Sequence, residues 1–302
     1  MQNIRNFFIA FGVSLVVFFV IAFAVMNKLI PDVGETTPAI NNNGTENNGV
    51  VDVTKTDPEK EIKGNSFTAL LACSDYTTGR MDALMLLHID KENKEYFISS
   101  LPSYMVLSID SIDYYLGDLN VEKGRSFLLN KVYAVTGMKV DYYAFISTNG
   151  FKSIIDKLGG VTFTVPQDMY YKDALDNVLV NLKGGTQKLS GDKALQLLRF
   201  KDYDEGDEKR RSIQREFILT AFDSLLKTEN ISNAPALFDS VVKHVDTNFT
   251  ASDFMNNLDL IFSYSDFKKT EIDYPGVSNK SDGVVRFIPM IDEAISVYKQ
   301  HR

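Results

Sequence analysis

The 302 residues include no tryptophan, one cysteine and three histidines. A lone Cys73 rules out an intrachain disulfide and a cysteine-rich zinc cluster. His88, His244 and His301 have no metal-ligand spacing, and His88 lies in a strand-like run, so no Ser-His-Asp arrangement is supported. Positive charge is also in deficit: 32 Lys and Arg against 40 Asp and Glu leave a net charge of −8. Nonspecific nucleic-acid binding needs many cationic contacts to phosphate, so this balance argues against nucleic acid as a partner. Any anionic ligand must be met by a local cluster.

The hydrophobic residues, 44% of the chain, are unevenly spread. Residues 7–26, FFIAFGVSLVVFFVIAFAVM, form an uncharged apolar run of 20, long enough to cross a bilayer as a helix. Ala22-Phe23-Ala24 offers a weak cleavage site, but the run exceeds a usual signal-peptide core. An uncleaved signal anchor is favoured, with residues 1–6 as a cytoplasmic tail and the bulk of the chain outside the cell membrane. Residues 27–65, rich in Asn, Gly and Thr and without periodicity, fit a disordered extracellular linker. Residues 66–302 remain as one large domain.

That domain opens with three strand-like runs, FTALLAC, MDALMLLHID and YFISSL, the first two joined by the loop SDYTTGR. Further on, GRSFLLNKVYAVTG predicts a helix and YYAFIS a strand. Thr148 is expected to cap a helix that stops at Gly159, before the strand VTFTVP. This strand-helix-strand unit points to a layered α/β fold. Helices are expected over APALFDSVVKHV, SDFMNNLDLIFSY and IPMIDEAISVYKQ, with a strand at KKTEIDYP; their aliphatic stripes suit either a core or the wall of a lipid pocket.

Chemistry concentrates in GGTQKLSGDKALQLLRFKDYDEGDEKRRSIQREF, residues 184–217, predicted as turn, helix, charged loop and second helix. Ser190 caps the first helix, which delivers Arg199 and, just beyond it, Lys201. Gly206-Asp207 precede Arg210 in the second, where Arg210 and Gln214 lie one turn apart on one face. Arginine suits phosphate because its planar fork donates paired hydrogen bonds and stays charged. Asp75, Arg80 and Asp82 gather around the loop after the first strand, where α/β sheets commonly place ligand-binding groups.

These residues resemble the LytR-CpsA-Psr family of membrane-anchored proteins that attach anionic glycopolymers to the Gram-positive cell wall. The similarity covers about residues 66–275 and rests on SDYTTGRMDALMLLHID, DYYAFISTNGFKSIIDKLGGVTFTVPQDMYYKD and LKGGTQKLSGDKALQLLRFKDYDEGDEKRRSIQREFI, in the family's order. The resemblance implies an α-β-α sandwich with a central mixed sheet and a groove for a polyprenyl chain. It also implies transfer of a glycopolymer phosphate from a polyprenyl pyrophosphate carrier to peptidoglycan. Asp75 and Asp82 become the implied Mg2+ ligands; Arg80, Asp82, Arg199, Asp207 and Arg210 the implied catalytic set; Lys201 and Gln214 further contacts to the pyrophosphate. The chain departs from the family where Pro102-Ser103-Tyr104 replaces Pro-Arg-Asp, where Lys201 and Ile213 replace arginines, and where a Lys-Ile-Asn segment is not recognisable around residues 114–125. A non-catalytic polyprenyl phosphate-binding protein of the envelope is the alternative. Arg80, Arg199 and Arg210 are expected to lie on three elements yet converge within reach of one phosphate group, with Lys201 nearby; with no anion bound, Asp75, Asp82 and Asp207 are expected to pair with them in one mixed cluster.

Overall fold

The computed structural model describes residues 65–225, 241, 243–257, 260, 263, 266–281 and 284–301. The expected membrane segment and, save Asn65, the linker lie outside the described residues. Among the described residues no helix is long and apolar enough to cross a membrane.

The domain is a mixed α/β fold around a six-stranded sheet. Its strands are β1 (Ser66–Ser74), β2 (Met81–Asp90), β3 (Glu95–Leu101), β6 (Tyr142–Ser147), β11 (Val245–Thr247) and β12 (Lys268–Asp273), in the order β11-β6-β1-β2-β3-β12. The sheet is mixed because β1 pairs β6 in parallel and β3 pairs β12 in parallel, while the other neighbours run antiparallel. Both faces of β1 are covered, as its side-chain alternation requires. Leu70 and Ala72 join a core with Leu84, Leu86, Phe97 and Phe145, whereas Phe67 and Ala69 on the opposite face pack with Tyr142.

Helix α1 (Leu119–Lys123) leads into α2 (Arg125–Thr136), whose Leu128, Val132 and Val135 close the first core together with Ala294 and Tyr298 of the C-terminal helix. Helix α3 (Thr148–Lys157) follows β6 directly. Its N-cap is Ser147, not Thr148: Ser147 still has extended backbone, and its Oγ accepts from Gly150 N at 3.1 Å. Helices α4 (Gly191–Arg199) and α5 (Asp207–Leu225) enclose a second core with α3, in which Phe151, Ile155, Leu197, Ile213 and Phe217 meet. Gly191 lets α4 start hard against α3, since a Cβ there would lie 2.3 Å from Lys152 O. Further along lie α6 (Ala251–Asn256) and α7 (Ile291–Lys299).

The expected turn at residues 184–189 is instead partly strand. β10 (Gly185–Leu189) pairs with β7 (Val161–Val165), with the Thr164 and Thr186 hydroxyls 2.8 Å apart. Three hairpins also went unanticipated: β4 (Val106–Ile109) with β5 (Ile112–Tyr115), β8 (Met169–Lys172) with β9 (Val178–Leu182), and β13 (Gly276–Ser281) with β14 (Val284–Pro289). The helix expected over residues 234–245 lies mostly outside the described residues, and Val245 belongs to β11.

Candidate functional site

The loop between β1 and β2 is built around one carboxylate. Asp75 Oδ1 accepts from Thr77 N at 3.0 Å, Thr78 N at 2.9 Å and Thr78 Oγ1 at 3.2 Å. The loop closes through Asp75 N donating to Arg80 O, and Gly79 takes the left-handed φ of +72° that the turn requires. Thr148, displaced from its expected capping role, accepts from Tyr76 N at 3.3 Å and ties the loop to α3. These donors, the Thr78 amide foremost, hold the Asp75 carboxyl below its ordinary range and keep it charged.

The other oxygen of Asp75 faces Arg199. The Arg199 Nη2 lies 2.9 Å from Asp75 Oδ2 and 3.5 Å from Asp82 Oδ2, so the last residue of α4 bridges two carboxylates from the ends of adjacent strands. All three side chains are partly exposed. At the end of β1, burial first, and the neighbouring Asp82 and Asp75 charges after it, push the Cys73 thiol up to about 12, which disfavours the reactive thiolate.

Arg80, in the loop just before β2, does not join this trio. Its Nε sits 2.5 Å from Asp118 Oδ1, in the short turn before α1. Lys201, just past α4, is exposed.

Arg210 stands in the first turn of α5 and is held by Asp207, 2.5 Å away. Asp207 is shared: Arg211 Nη1 bonds its second oxygen and also donates to the Tyr104 hydroxyl at 2.9 Å, while that hydroxyl donates to Asp207 at 2.5 Å. Burial and the Asp207 charge raise the Tyr104 pKa, which keeps the hydroxyl a donor. Tyr104 therefore anchors α5, where Pro-Arg-Asp was the expected pattern. Ile213 lies in the apolar core. Gln214 turns to the protein, its amide donating to Leu198 O at 2.9 Å and fixing the end of α4 that presents Arg199.

Two buried arginines escaped the sequence reading. Arg211 packs over the Phe287 ring, 5.9 Å from its centroid. Arg215, only 2% exposed, spans Glu271 at 3.0 Å and Asp273 at 2.9 Å on β12 and donates to Ser100 Oγ. Their i, i+4 spacing in RRSIQR was a usable signal for a helix face turned inward.

Each expected arginine rests on its own element, but in place of one mixed cluster the structure shows three separate pairings: Arg80 with Asp118, Arg199 with Asp75 and Asp82, and Arg210 with Asp207. Of the three arrangements, the Asp75-Asp82-Arg199 trio can exchange partners most readily, because partly exposed ion pairs hold together weakly. Among the described residues no three His, Cys, Asp or Glu side chains gather into a metal site. Two carboxylates nevertheless fit Mg2+, which is commonly held by one or two carboxylates with substrate phosphates completing the shell.

The LytR_cpsA_psr family model matches residues 35–302. TagV of Bacillus subtilis, a polyisoprenyl-teichoic acid–peptidoglycan teichoic acid transferase, is 26% identical over 233 residues, which is 70% of this chain and 56% of TagV. The crystal structure of TagV superposes with a TM-score of 0.65 at 21% identity, covering 80% of this chain and 98% of that one. A structure of TagT bound to LI-WTA gives 0.62 at 22% identity, covering 80% and 93%. The chain spans about half the length of curated relatives such as TagV.

Proposed function

Since the chain belongs to the LytR_cpsA_psr family, we propose that it transfers a glycopolymer phosphate from a polyprenyl pyrophosphate carrier to a peptidoglycan hydroxyl in cell wall biogenesis. The observation carrying this reading is the Arg199 bridge between Asp75 and Asp82: one cation and two carboxylates from three elements, at the open end of the sheet. In the transfer, the acceptor hydroxyl oxygen bonds to the phosphorus that carries the glycopolymer. The bond from that phosphorus to the bridging oxygen breaks, polyprenyl phosphate leaves, and the hydroxyl proton passes to water. Arg199 would release its carboxylates and meet the incoming phosphates, with Lys201 as a further cation; charge-assisted hydrogen bonds would stabilise charge as it develops. Asp75 and Asp82, freed from Arg199, would hold Mg2+. When bound, the ion neutralises phosphate charge.

Residues 7–26 would anchor the chain in the cell membrane with its domain outside, next to the lipid carrier. The test is transfer by the full chain in detergent, given a polyprenyl pyrophosphate-linked glycan, a peptidoglycan acceptor and Mg2+. Turnover should fall by a factor on the order of 100 in Arg199→Ala. Equal product from wild type and from an Asp82→Ala, Arg199→Ala double variant would sink the reading.

A second reading draws on Ser103 and Ile213, which stand where family arginines are usual, and on Tyr104, which stands where an aspartate is usual; Tyr104 and Ile213 are both committed to the protein's own packing. Fewer cations then remain for phosphate, which favours a protein that binds polyprenyl phosphate without turnover. Native mass spectrometry separates the two: bound carrier with no product supports binding alone.

A further inference from the structure

The four strands β7 to β10 make one long ribbon. β7 pairs with β10 as far as Val165 and Gly185, β8 takes up the pairing with β9 at Met169 and Leu182, and Gly184 N ties the join by donating to Asp168 Oδ1 at 2.8 Å. Its inward face buries Phe163, Val165, Met169 and Leu182 in the second core, while Lys188 and Tyr170 stand on the outward face. The tip projects beyond that core. There Tyr170, Tyr171, Leu175, Val178 and Leu179 are each at least half exposed, Leu175 at 83%. The turn that carries Leu175 is tightly built: the Asp173 carboxylate accepts from Leu175 N, Asn177 N and Asn177 Nδ2, each at 2.9 Å, and Asp173 N donates to Asn177 O at 3.0 Å. Apolar groups gathered on a projecting, fastened turn mark a contact surface, and they lose little conformational freedom when covered.

The charges of the same stretch define what covers it. From Lys152 to Lys193 every aspartate is engaged within the protein: Asp156 accepts from Gly191 N, Asp168 pairs with Lys183, Asp176 with Lys172 and Asp192 with Lys152, besides Asp173 in its turn. Three lysines are left over. Lys157, Lys188 and Lys193 are exposed and have no carboxylate partner among the described residues. They collect at the base of the ribbon, since Lys157 ends α3 just before it, Lys188 faces outward opposite Thr162, and Lys193 lies in the first turn of α4 just after it. In a chain of net charge −8 this is a local excess of cations beside an apolar tip. A bilayer with anionic headgroups matches both: its interface takes aliphatic and tyrosine side chains, and its negative field attracts lysine. A second copy of the chain would set the same lysines against one another. The chain ahead of Asn65 includes the apolar run of residues 7–26, which would keep the domain beside such a surface.

We propose that the ribbon of residues 161–189 is a peripheral membrane contact in its own right, resting Leu175, Val178 and Leu179 in the interface of an anionic bilayer with Lys157, Lys188 and Lys193 over the headgroups. It goes beyond the transfer reading and does not depend on it. The contact would fix how the domain is turned towards the lipid surface, whatever chemistry the domain performs.

The test reads where the tip sits. Leu175→Cys in a Cys73→Ala background is labelled with a nitrobenzoxadiazole fluorophore, and the full chain is reconstituted into vesicles of brominated phosphatidylcholine, alone or mixed with brominated phosphatidylglycerol. Tyr133→Cys, exposed on α2, is the control position. In the anionic vesicles the label at position 175 should be quenched about threefold or more relative to the label at position 133. Lys157→Glu, Lys188→Glu and Lys193→Glu together should remove the difference between anionic and neutral vesicles, and Val178→Asp with Leu179→Asp should return the label to water, all with unchanged urea midpoints. Equal quenching at the two positions, or indifference to headgroup charge, would overturn the proposal. So would a label shielded from iodide in detergent alone, increasingly with protein concentration, because a second copy would then be what covers the tip.

Discussion

Arg199 and Arg215 each bridge two carboxylates, yet they do opposite jobs. Arg199 is nearly half exposed and joins side chains from two strand ends, while Arg215 is 2% exposed and clamps α5 to β12. An exposed ion pair is worth little in stability because water competes for both partners, and for that reason it can be traded for a ligand. A buried cation cannot be so traded: removing its carboxylates would strand the Arg215 charge in a poorly solvating interior. The same residue type in the same motif region therefore serves exchange at one end and fixation at the other. Asp207, shared by Arg210, Arg211 and Tyr104, belongs to the fixed end.

Substitution at the fixed end should break the comparison most strongly. Arg215→Ala empties a buried site and leaves the partly exposed Glu271 and Asp273 without this partner, and should cost about 3 kcal/mol in urea unfolding, mostly through lost packing and hydrogen bonds. A loss under 1 kcal/mol would mean that water reaches the pair. Asp207→Ala comes next, at about 2 kcal/mol, since Arg210, Arg211 and Tyr104 all lose an acceptor. Arg199→Ala should change stability by under about 1 kcal/mol while weakening a short-chain polyprenyl pyrophosphate by about 1.5–3 kcal/mol, so comparing its unfolding midpoint with its titration separates exchange from fixation.

Acid gives a milder test. Burial raises the Glu271 pKa, but Lys269 and Arg215 outweigh it and hold the group below its usual 4.5; Asp75 is likewise held below 3.8. Folded values depressed below unfolded ones contribute stability that is complete above about pH 4.5 and is lost as pH falls through the folded values. Urea midpoints should therefore be flat from pH 7 to 5 and drop below 4.5, and Glu271→Gln should shallow that drop. The smallest effect concerns Cys73. With its thiol pushed up to about 12, alkylation by iodoacetamide at pH 8 should be slow in the native protein and fast once urea unfolds it.

Which parts were legible in the sequence follows from how each signal arises. The strands of the central sheet, apart from β11, announced themselves through apolar runs bounded by turns, and α4 and α5 through helical spacing behind Ser190 and Gly206-Asp207. The small hairpins were hidden because their residues are largely exposed. GTQKL has one buried residue, so pairing with β7 left no hydrophobic pattern to find. At the site, Asp75, Asp82 and Arg199 could be named in advance because charged residues at strand and helix ends have few other reasons to cluster. The Arg80-Asp118 pair and the inward turn of Gln214 could not, as each depends on a partner supplied by tertiary packing. Tyr104 stands out in the sequence only for the family residue it replaces; its bond to Asp207 depends on the fold.

The parallel pairing of β12 with β3 carries a consequence for biogenesis. A chain synthesised from its N-terminus completes β1, β2, β3 and α5 long before residues 268–273 exist, so Arg215 waits without Glu271 and Asp273 throughout that interval. The first turn of α5 waits as well, because Tyr104 and Arg211 both lean on Phe287, later still. The contacts of Arg215, and those of Tyr104 and Arg211 with Phe287, thus form only once the C-terminal residues exist, and a chain interrupted before β12 should be cleared as unfolded material even though every residue of the trio, the loop and α4 has already been made.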